Sequence, residues 1–525
     1  VYDVVIRGGT VYGAGAEPIR ADVAIAADRV VAVGPLSQVD SVEELDATGK
    51  VVAPGFINVL SHSYFTMLHD GRSLGELTQG VTTQVFGEGG SMGPLTPAMQ
   101  AALAQTHREL DLEVTWSRLS EFLALLERRG CSQNVASFVG NGTLRPFVLG
   151  YENRSPTSAE LDQMRSLVAE EMADGALGLA SALIYPPESY ASTDELVALC
   201  TTVASYGGMY ISHLRDEGTR LLAAVDELIH ISQEAGLAAE IFHLKASGRA
   251  NWDTMPRVLE RIEEVRADGL AITADVYPYI ASSTGLTTAI PDRFHEGGAE
   301  ALYDRLDDDV SRAAIRQALL DAGKWGDAES ADEVLILGVR SPELRGYQGM
   351  TLRAVSEERR TDPIDTVLDL IRTDRTRVTV AFFTMSEHNL REELRRSWVG
   401  IGSDGSSMAP EGISLRAPTH PRAYGTFARV FGTYVRDEAV LTLAEAIDKL
   451  TRLPAATLGL TGRGSLAVGS YADAVVFDPD RVRDRATFTE PHRLAVGIDD
   501  VVVNGRVALR GGQFTGVLAG RALRR

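Results

Sequence analysis

Short apolar segments alternate with amphipathic helical stretches through the middle of the chain, and this alternation limits the fold more than any other feature. Nine segments are candidate strands: VVAPGFINVL, VTTQVFG, NVASFVG, ALGLAS, GMYISH, AAEIFH, AITADVY, VTVAFFT and WVGIGSD. Strands separated by helices predict a parallel sheet, here an α/β fold closed into a TIM-like (β/α)8 barrel. Nine candidates compete for eight positions, so one of them, VTVAFFT or AITADVY, is expected outside the ring.

The two ends of the chain and one internal stretch depart from this alternation. Residues 1–53 and 461–525 alternate apolar and polar positions between Gly and Asn-Gly turns, which predicts one small β-sandwich domain built from both ends. Residues 54–460 then form the barrel. Within them, a charged, helix-prone stretch from about 286 to 375 is too long for a barrel loop and predicts an inserted lid subdomain over the barrel mouth.

Composition excludes several functional classes. The 525 residues carry 51 Lys and Arg against 72 Asp and Glu, a net charge of −21, so no nucleic acid or membrane partner is expected. An anionic small-molecule substrate would need a local cationic pocket.

The two cysteines, Cys131 and Cys200, form neither a disulfide framework nor a CxxC metal site. The opening VYDVVIRGGTVYG has no basic and apolar leader, and no apolar run is long enough for a membrane span, so a cytoplasmic location is expected.

Ionisable side chains follow five of the candidate strands, at the ends where a barrel places its catalytic groups. They are His62, Glu88, His213, His243 and Asp404. Imidazoles and carboxylates from separate strands form a ligand set suited to Zn²⁺ with an open coordination position. Zinc would lower the pKa of a bound water, the expected nucleophile, and Asp404 is the candidate general base. A lone histidine after a strand is more often a structural residue, so the prediction depends on their joint placement.

Several segments, in order along nearly the whole chain, resemble a known family. They are PGFINVLSH, GVTT, ISHLRDEG, HLKASGRANW, DVYPYIASSTG, IGSDG, HPRAYGTF, and ADAVVFDP followed by VVVNG. The pattern resembles the N-acyl-D-amino-acid deacylases, or D-aminoacylases, of the amidohydrolase superfamily. The resemblance implies a TIM barrel with a composite β-sandwich and a tightly held zinc ion. It also implies hydrolysis of N-acyl-D-amino acids to a carboxylate and a free D-amino acid.

The resemblance assigns roles to residues of the reaction centre. His213 and His243 look like the imidazole ligands of the tight metal site, and Asp404 looks like the general acid and base. Tyr185, in ALIYPPESY, fits a phenol that hydrogen-bonds the developing oxyanion opposite the metal.

A second group of residues matches positions that hold the substrate carboxylate in similar proteins. Lys245, Tyr277 and Ser283 have this match, and Arg422 is expected to join them because guanidinium can grip a carboxylate through two hydrogen bonds. Structural alternatives stay open for all four. Tyr277 could be a core residue and Ser283 a turn cap, while Lys245 and Arg422 could be solvated surface charges.

Three positions depart from the family pattern. The first strand normally ends in His-x-His, but here it reads Leu60-Ser61-His62, so one ligand of the second, weaker metal site is missing. Glu88 lies one position from the usual cysteine ligand, and its longer side chain could still reach the metal. Asn141 stands where a histidine is frequent. We therefore expect one tightly bound Zn²⁺, a doubtful second site, and a substrate that could differ from ordinary acetylated amino acids.

Two other functions stay open. A cyclic-amide hydrolase of the hydantoinase or dihydroorotase kind normally needs two metals bridged by a modified lysine, and the fourth-strand region ALGLASALIY has no lysine. A non-catalytic scaffold would explain Leu60, but it would have no reason to keep His213, His243 and Asp404 together. The substrate is expected to be a small molecule with a free carboxylate, and the sequence leaves the oligomeric state open.

Overall fold

Both chain ends enter one nine-stranded sheet in the computed structural model, which describes residues 1–36, 39–110, 112–324 and 331–525. Its strands are Tyr2–Val11, Ile19–Ala26, Arg29–Gly34, Ser41–Asp46 and Val51–Pro54 from the N-terminal part, and Ala474–Phe477, Ile498–Val503, Arg506–Arg510 and Gln513–Phe514 from the C-terminal part. The strand Val51–Pro54 pairs antiparallel with Ala474–Phe477 and so joins the two ends.

This terminal sheet has an apolar core of its own. The alternating residues Val4, Val23, Val52, Ala474 and Val502 are all buried in one cluster. The strand Tyr2–Val11 pairs with two parallel strands on the same edge. Its first part pairs with Ser41–Asp46 and its last two residues pair with Val51–Pro54, and a bulge between Ile6 and Gly9 separates the two parts. The prediction that both ends build one β-domain is confirmed, whereas the exact boundaries 1–53 and 461–525 stay predictions.

The middle of the chain forms a ring of parallel strands. In chain order, barrel strands 1 to 8 are Phe56–Asn58, Val81–Phe86, Asn134–Ser137 continued by Val139–Gly140, Gly178–Ala182, Met209–His213, Ala239–Ile241, Ile272–Val276 and Val399–Ile401. Strands 1 to 3 pair in order, and the continuation of strand 3 pairs with strand 4. The ring closes between strands 8 and 1, where Ser61 bridges Gly405 and Asp404 N donates to the Leu60 carbonyl at 3.0 Å. The TIM-like barrel is therefore confirmed.

The ninth candidate strand lies outside the ring. VTVAFFT forms Thr379–Phe382, the central strand of a separate antiparallel sheet with Ser282–Gly285 and Val334–Gly338. Together with the four α-helices that the described part of residues 299–374 contains, this sheet encloses a second apolar core, which includes Leu302, Ile336 and Val367. The insertion therefore begins and ends a few residues outside the predicted range of 286–375, and residues 325–330 of that range lie outside the described residues.

Helices cover the outside of the barrel and build most of the insertion. The α-helices are Tyr64–His69, Leu74–Leu77, Pro97–Thr106, Leu119–Arg129, Asn141–Leu149, Ser158–Ala173, Thr193–Ser205, Leu221–Ala235, Met255–Ala267, Ala299–Asp307, Asp309–Asp321, Leu352–Arg359, Pro363–Asp374, Glu387–Leu394, Arg422–Arg429, Leu443–Leu450 and Arg452–Leu458, with a π-helical segment at Val430–Asp437. Short 3-10 helices lie at Arg108–Leu110, Glu188–Tyr190, Arg249–Thr254, Leu286–Ala289, Asp292–Phe294, Pro342–Tyr347 and Gly412–Arg416. Among the described residues, none of these helices combines the length and the apolar character needed to cross a bilayer.

Candidate metal centre

The predicted ionisable residues lie together at the carboxyl ends of the barrel strands. His213 is the last residue of strand 5, while Glu88, His243 and Asp404 follow strands 2, 6 and 8 within three residues. His243 and Asp404 have positive φ angles of 36° and 48°, a region that residues other than glycine rarely adopt. Such strain persists only where the surrounding structure enforces it, and here both side chains contact other ionisable groups: His243 Nε2 lies 3.0 Å from Glu88 Oε1, and Asp404 Oδ1 lies 3.0 Å from His62 Nε2.

The loop that carries Glu88 depends on two glycines. Gly87 and Gly89 have φ angles of 119° and 65°, on either side of Glu88. A Cβ atom at Gly87 would lie 2.7 Å from the Phe138 carbonyl oxygen, so the loop can pack this closely against strand 3 only without a side chain there.

Glu88 contacts both predicted imidazole ligands with one oxygen. Its Oε1 atom lies 3.0 Å from His213 Nδ1 and 3.0 Å from His243 Nε2. The two imidazole rings stand nearly perpendicular, with an interplanar angle of 84° and centroids 4.4 Å apart. All three side chains are buried, and their ligand atoms lie within 4.8 Å of one another. Two imidazole nitrogens and one carboxylate oxygen from three strands form a set of the kind that binds Zn²⁺ with an open position.

The other oxygen of Glu88 belongs to a second group. Glu88 Oε2 lies 3.0 Å from His62 Nε2, and the same nitrogen lies 3.0 Å from Asp404 Oδ1. His62, Glu88 and Asp404 could therefore hold an ion as well, without a ligand from Leu60. The side chain of His62 is 29% exposed, so this second group is more open to solvent than the first.

The electrostatics of the site fit a bound cation. Burial and the Lys245 ammonium lower the pKa of His243, but Glu88 and Glu217 outweigh them and raise it to about 10. Burial also opposes ionisation of Glu88, yet the neighbouring imidazoles hold the pKa of its carboxyl well below the usual range. The negative field that raises the pKa of His243 would equally favour a divalent cation in place of the proton, so the residues present fit a zinc ion.

Lys245 is buried beside His243 and has a partner that the sequence did not reveal. Its Nζ atom lies 2.5 Å from Glu217 Oε1 and 2.8 Å from His243 Nδ1. Glu217 lies four residues after His213, within the quoted segment ISHLRDEG. That spacing in a loop does not show which way the carboxylate points, so the segment offered only a weak signal.

Arg422 and Tyr277 also meet at the mouth. Arg422 Nη1 lies 2.8 Å from Asp404 Oδ2, and the guanidinium carbon lies 4.8 Å from the centre of the Tyr277 ring. Both side chains are buried, so neither is a solvated surface group. Ser283 takes part through its backbone, since Arg422 Nη2 donates to its carbonyl oxygen at 3.3 Å.

Tyr185 lies beside the imidazole of His213. The two rings have centroids 5.3 Å apart, and the phenol oxygen lies 2.8 Å from Thr284 Oγ1 of the insertion. Burial raises the pKa of Tyr185 to about 12, so the phenol keeps its proton at neutral pH. Arg377 also donates to Thr284 Oγ1, at 2.9 Å. Thr284 lies 99 residues after Tyr185 and Arg377 lies 192 residues after it, and no spacing pattern could have placed them there.

Two further buried polar residues were not predicted as part of the site. Asp275 is the next-to-last residue of strand 7, and its Oδ1 accepts a hydrogen bond from His243 N at 3.2 Å, which supports the strained backbone of His243. Asn141, at the start of its helix, is fully buried, and neither atom of its amide has a hydrogen-bond partner among the described residues.

A TIM barrel with imidazole and carboxylate ligands at its mouth defines the class of metal-dependent hydrolases, and the chain belongs to the amidohydrolase family, whose model matches residues 43–509. It is similar to the D-aminoacylase of Alcaligenes xylosoxydans xylosoxydans, with 34% identity over 531 residues that cover 100% of this chain and 98% of the relative. The expected family resemblance is confirmed.

Two solved structures are similar over the full length of both chains. One is N-acyl-D-glutamate deacylase from Bordetella bronchiseptica, complexed with zinc and a phosphonate inhibitor that mimics the tetrahedral intermediate, with a TM-score of 0.83 and 30% identity. The other is a D-aminoacylase described as having a binuclear metal centre, with one-metal activation and second-metal attenuation; its TM-score is 0.83 and its identity 33%.

Proposed function

We propose that this protein hydrolyses the amide bond of N-acyl-D-amino acids in a zinc-dependent reaction that releases a carboxylate and a free D-amino acid. The observation that carries the proposal is the convergence of His213, His243 and Glu88, within 3.0 Å contacts, beside the buried Arg422–Asp404 pair. The similarity to deacylases of N-acyl-D-amino acids, over the whole chain, supports the choice of substrate.

Zinc would be held by His213, His243 and Glu88, and the more exposed group of His62, Glu88 and Asp404 is the candidate for a weaker second ion. A bound zinc ion supplies Lewis acidity, which polarises an amide carbonyl and acidifies water at neutral pH. Glu88 belongs to both groups, so an ion bound by His62, Glu88 and Asp404 would compete for the carboxylate that also binds the first ion. One tightly held ion is therefore the proposed active form.

Asp404 is the proposed general base and acid. Burial opposes ionisation of its carboxyl, but Arg422 and His62 lower its pKa below the usual value, so it is an ionised acceptor at neutral pH. Its Oδ1 atom, held 3.0 Å from His62 Nε2, would take the proton from the attacking water and pass it to the leaving amine nitrogen. Tyr185, whose phenol stays protonated, would donate a hydrogen bond to the carbonyl oxygen as that oxygen gains negative charge.

The α-carboxylate of the substrate would be bound by the buried cations Arg422 and Lys245, with Tyr277 and Ser283 beside them. Arg422 Nη2 donates a hydrogen bond to the Ser283 carbonyl oxygen at 3.3 Å. This contact is long, and a carboxylate oxygen of the substrate would readily replace it. Arg422 is paired with Asp404 and Lys245 with Glu217, so in a chain with a net charge of −21 these two cations supply hydrogen-bond donors to an anionic substrate, and the bound zinc would supply the net positive charge.

Replacement of Arg422 by alanine should impair substrates that carry a free α-carboxylate more than substrates that do not. We expect kcat/KM for an N-acetyl-D-amino acid to fall roughly 10–100-fold further than for its primary-amide analogue, since a charge-assisted hydrogen bond is lost. The ratio of the two substrates isolates this effect, because any disturbance of Asp404 lowers both rates equally. Equal losses on both substrates would contradict the assignment of Arg422.

The function itself is tested by a substrate screen with zinc supplied. N-acetyl, N-formyl and longer N-acyl derivatives of D- and L-amino acids are incubated with the protein, and the released amine is measured, with an Asp404→Asn variant as control. Release of amine from the D-derivatives is the expected result. Opening of a hydantoin or dihydroorotate ring without activity on the linear amides would favour the cyclic-amide alternative, although strand 4, Gly178–Ala182, has no lysine to bridge two ions. No turnover of any amide would favour the scaffold alternative.

A further inference from the structure

Glu217 contacts three functional groups of the site with a single oxygen. Its Oε1 atom lies 2.5 Å from Lys245 Nζ, 3.3 Å from His243 Nδ1 and 3.5 Å from His213 Nε2. The side chain is 10% exposed, and the Glu217 carbonyl accepts a hydrogen bond from Ser247 N at 2.7 Å, which ties the loop after strand 5 to the loop after strand 6. The backbone that carries this carboxylate is therefore fixed between the two loops.

The orientation of the two imidazoles explains why an acceptor is needed at this place. His213 presents Nδ1 and His243 presents Nε2 to Glu88, so the outer nitrogens, His213 Nε2 and His243 Nδ1, both face Glu217. A ring nitrogen that binds a metal uses its lone pair, and the other nitrogen of the neutral ring then carries the proton. Glu217 Oε1 is the carboxylate oxygen beside both of these nitrogens, at 3.3 Å from His243 Nδ1 and 3.5 Å from His213 Nε2, which is buried and has no hydrogen-bond partner among the described residues.

The Lys245 ammonium favours the wrong tautomer of His243, and its ion pair with Glu217 offsets this effect. Its ammonium lies 2.8 Å from His243 Nδ1, and an ammonium group has donors but no acceptor. This contact suits His243 only when Nδ1 lacks a proton, which is the opposite tautomer from the one that binds a metal through Nε2. The ion pair with Glu217 gives Lys245 another partner, and the same carboxylate accepts the proton of the metal-binding tautomer.

We propose that Glu217 is a positioning residue that selects the metal-binding tautomers of His213 and His243 and keeps the Lys245 ammonium from opposing them. This inference rests on the proposed function only in taking His213, His243 and Glu88 as the metal ligands. Glu217 need not touch the substrate or the ion, so its effect is expected on metal affinity in the absence of any substrate.

The test is zinc affinity, measured by competition with a chromophoric chelator, on Glu217→Gln, Lys245→Met and the double variant. Glu217→Gln should bind zinc about 10–100-fold more weakly, the usual loss when the partner of a ligating histidine is removed. Lys245→Met should bind zinc at least as tightly as the unmodified protein, and the double variant should lie between the two single variants. Thermal unfolding of the metal-free proteins shows whether each variant is folded.

Glu227→Gln is the matched control. Glu227 lies ten residues after Glu217, has a side chain that is 13% exposed, and pairs with Arg215 at 2.8 Å without contacting either imidazole. Its replacement should leave zinc affinity unchanged. Zinc affinity of Glu217→Gln within twofold of the unmodified protein would overturn the inference, and so would a tenfold loss in Lys245→Met.

If Glu217→Gln does not fold, the double variant, which leaves no unpaired buried charge, takes its place. It should bind zinc more weakly than Lys245→Met because the acceptor is gone, and equal affinity would overturn the inference. These measurements distinguish failure of the role of Glu217 from failure of the proposed function. Failure of the unmodified protein to bind zinc contradicts the proposed function, whereas normal zinc binding in Glu217→Gln contradicts only the role of Glu217.

Discussion

Replacing His213 by alanine is expected to remove tightly bound zinc and to lower amide hydrolysis by about a thousandfold or more, because Lewis-acid stabilisation worth several kcal/mol is lost. His213 is buried at the end of strand 5, and its Nδ1 atom lies 3.0 Å from Glu88 Oε1. Without this imidazole, His243 and Glu88 are two ligands, too few for a stable tetrahedral site. The measurement is zinc content by elemental analysis together with the hydrolysis rate.

His492→Ala is the control for this prediction. His492 contacts the Ala417 carbonyl at 2.9 Å and the Tyr424 hydroxyl at 3.3 Å, and none of its contacts reaches Glu88, His213 or His243 among the described residues. This variant should keep its zinc and its activity. Zinc content that is unchanged by His213→Ala would show that the ion, if any, is bound elsewhere.

Replacing Asp404 by asparagine is expected to lower kcat by about 10²–10⁴-fold, the range for loss of a general acid–base group. The amide cannot accept a proton from water at neutral pH, yet it preserves the size of the side chain next to Arg422 and His62. The His213–His243–Glu88 group does not include Asp404, so the tightly bound zinc should remain. The measurement is kcat at saturating substrate, with zinc content determined on the same preparation.

Asp484→Asn is a matched control for Asp404→Asn, because Asp484 also pairs with an arginine, Arg429, at 3.3 Å, but contacts no imidazole. Its kcat should be close to that of the unmodified protein. Loss of zinc in Asp404→Asn would instead identify Asp404 primarily as a metal ligand, and an unchanged kcat would rule it out as the base.

The parts of the site that could be predicted are those that the barrel itself positions. His213 ends strand 5, and His243 and Asp404 follow strands 6 and 8, so the convergence of parallel strand ends at one rim was enough to bring them together. Glu88 was harder to predict, since its approach to both imidazoles depends on the positive φ angles of Gly87 and Gly89, which spacing does not reveal.

The parts that could not be predicted depend on the directions of loop side chains. Lys245 was expected to bind the substrate carboxylate, but its ion pair with Glu217, whose carboxylate also approaches His213 from a loop, was not expected. Thr284 reaches Tyr185 from the insertion, where no regular alternation constrains the geometry. Leu60 suggested loss of the second metal site, yet His62 and Asp404 meet Glu88 without any contribution from that side chain.

The sequence predicted the arrangement of the barrel strands but not the exact limits of the insertion. Alternation of strands and helices predicted the ring, and the surplus candidate VTVAFFT was correctly expected to lie outside as one of two possibilities. Its strand Thr379–Phe382 is apolar because it packs in the separate core of the insertion. A short apolar segment does not show whether it packs in the core of the insertion or in that of the barrel, so the sequence could not decide between the two.

The most direct test is a crystal structure of the zinc-loaded protein with diffraction data collected on both sides of the zinc absorption edge. An anomalous peak bonded to His213 Nδ1, His243 Nε2 and a Glu88 oxygen, at distances near 2.0–2.2 Å, is the predicted result. Absence of the peak at this place, with the two imidazoles turned away from each other, would contradict the account.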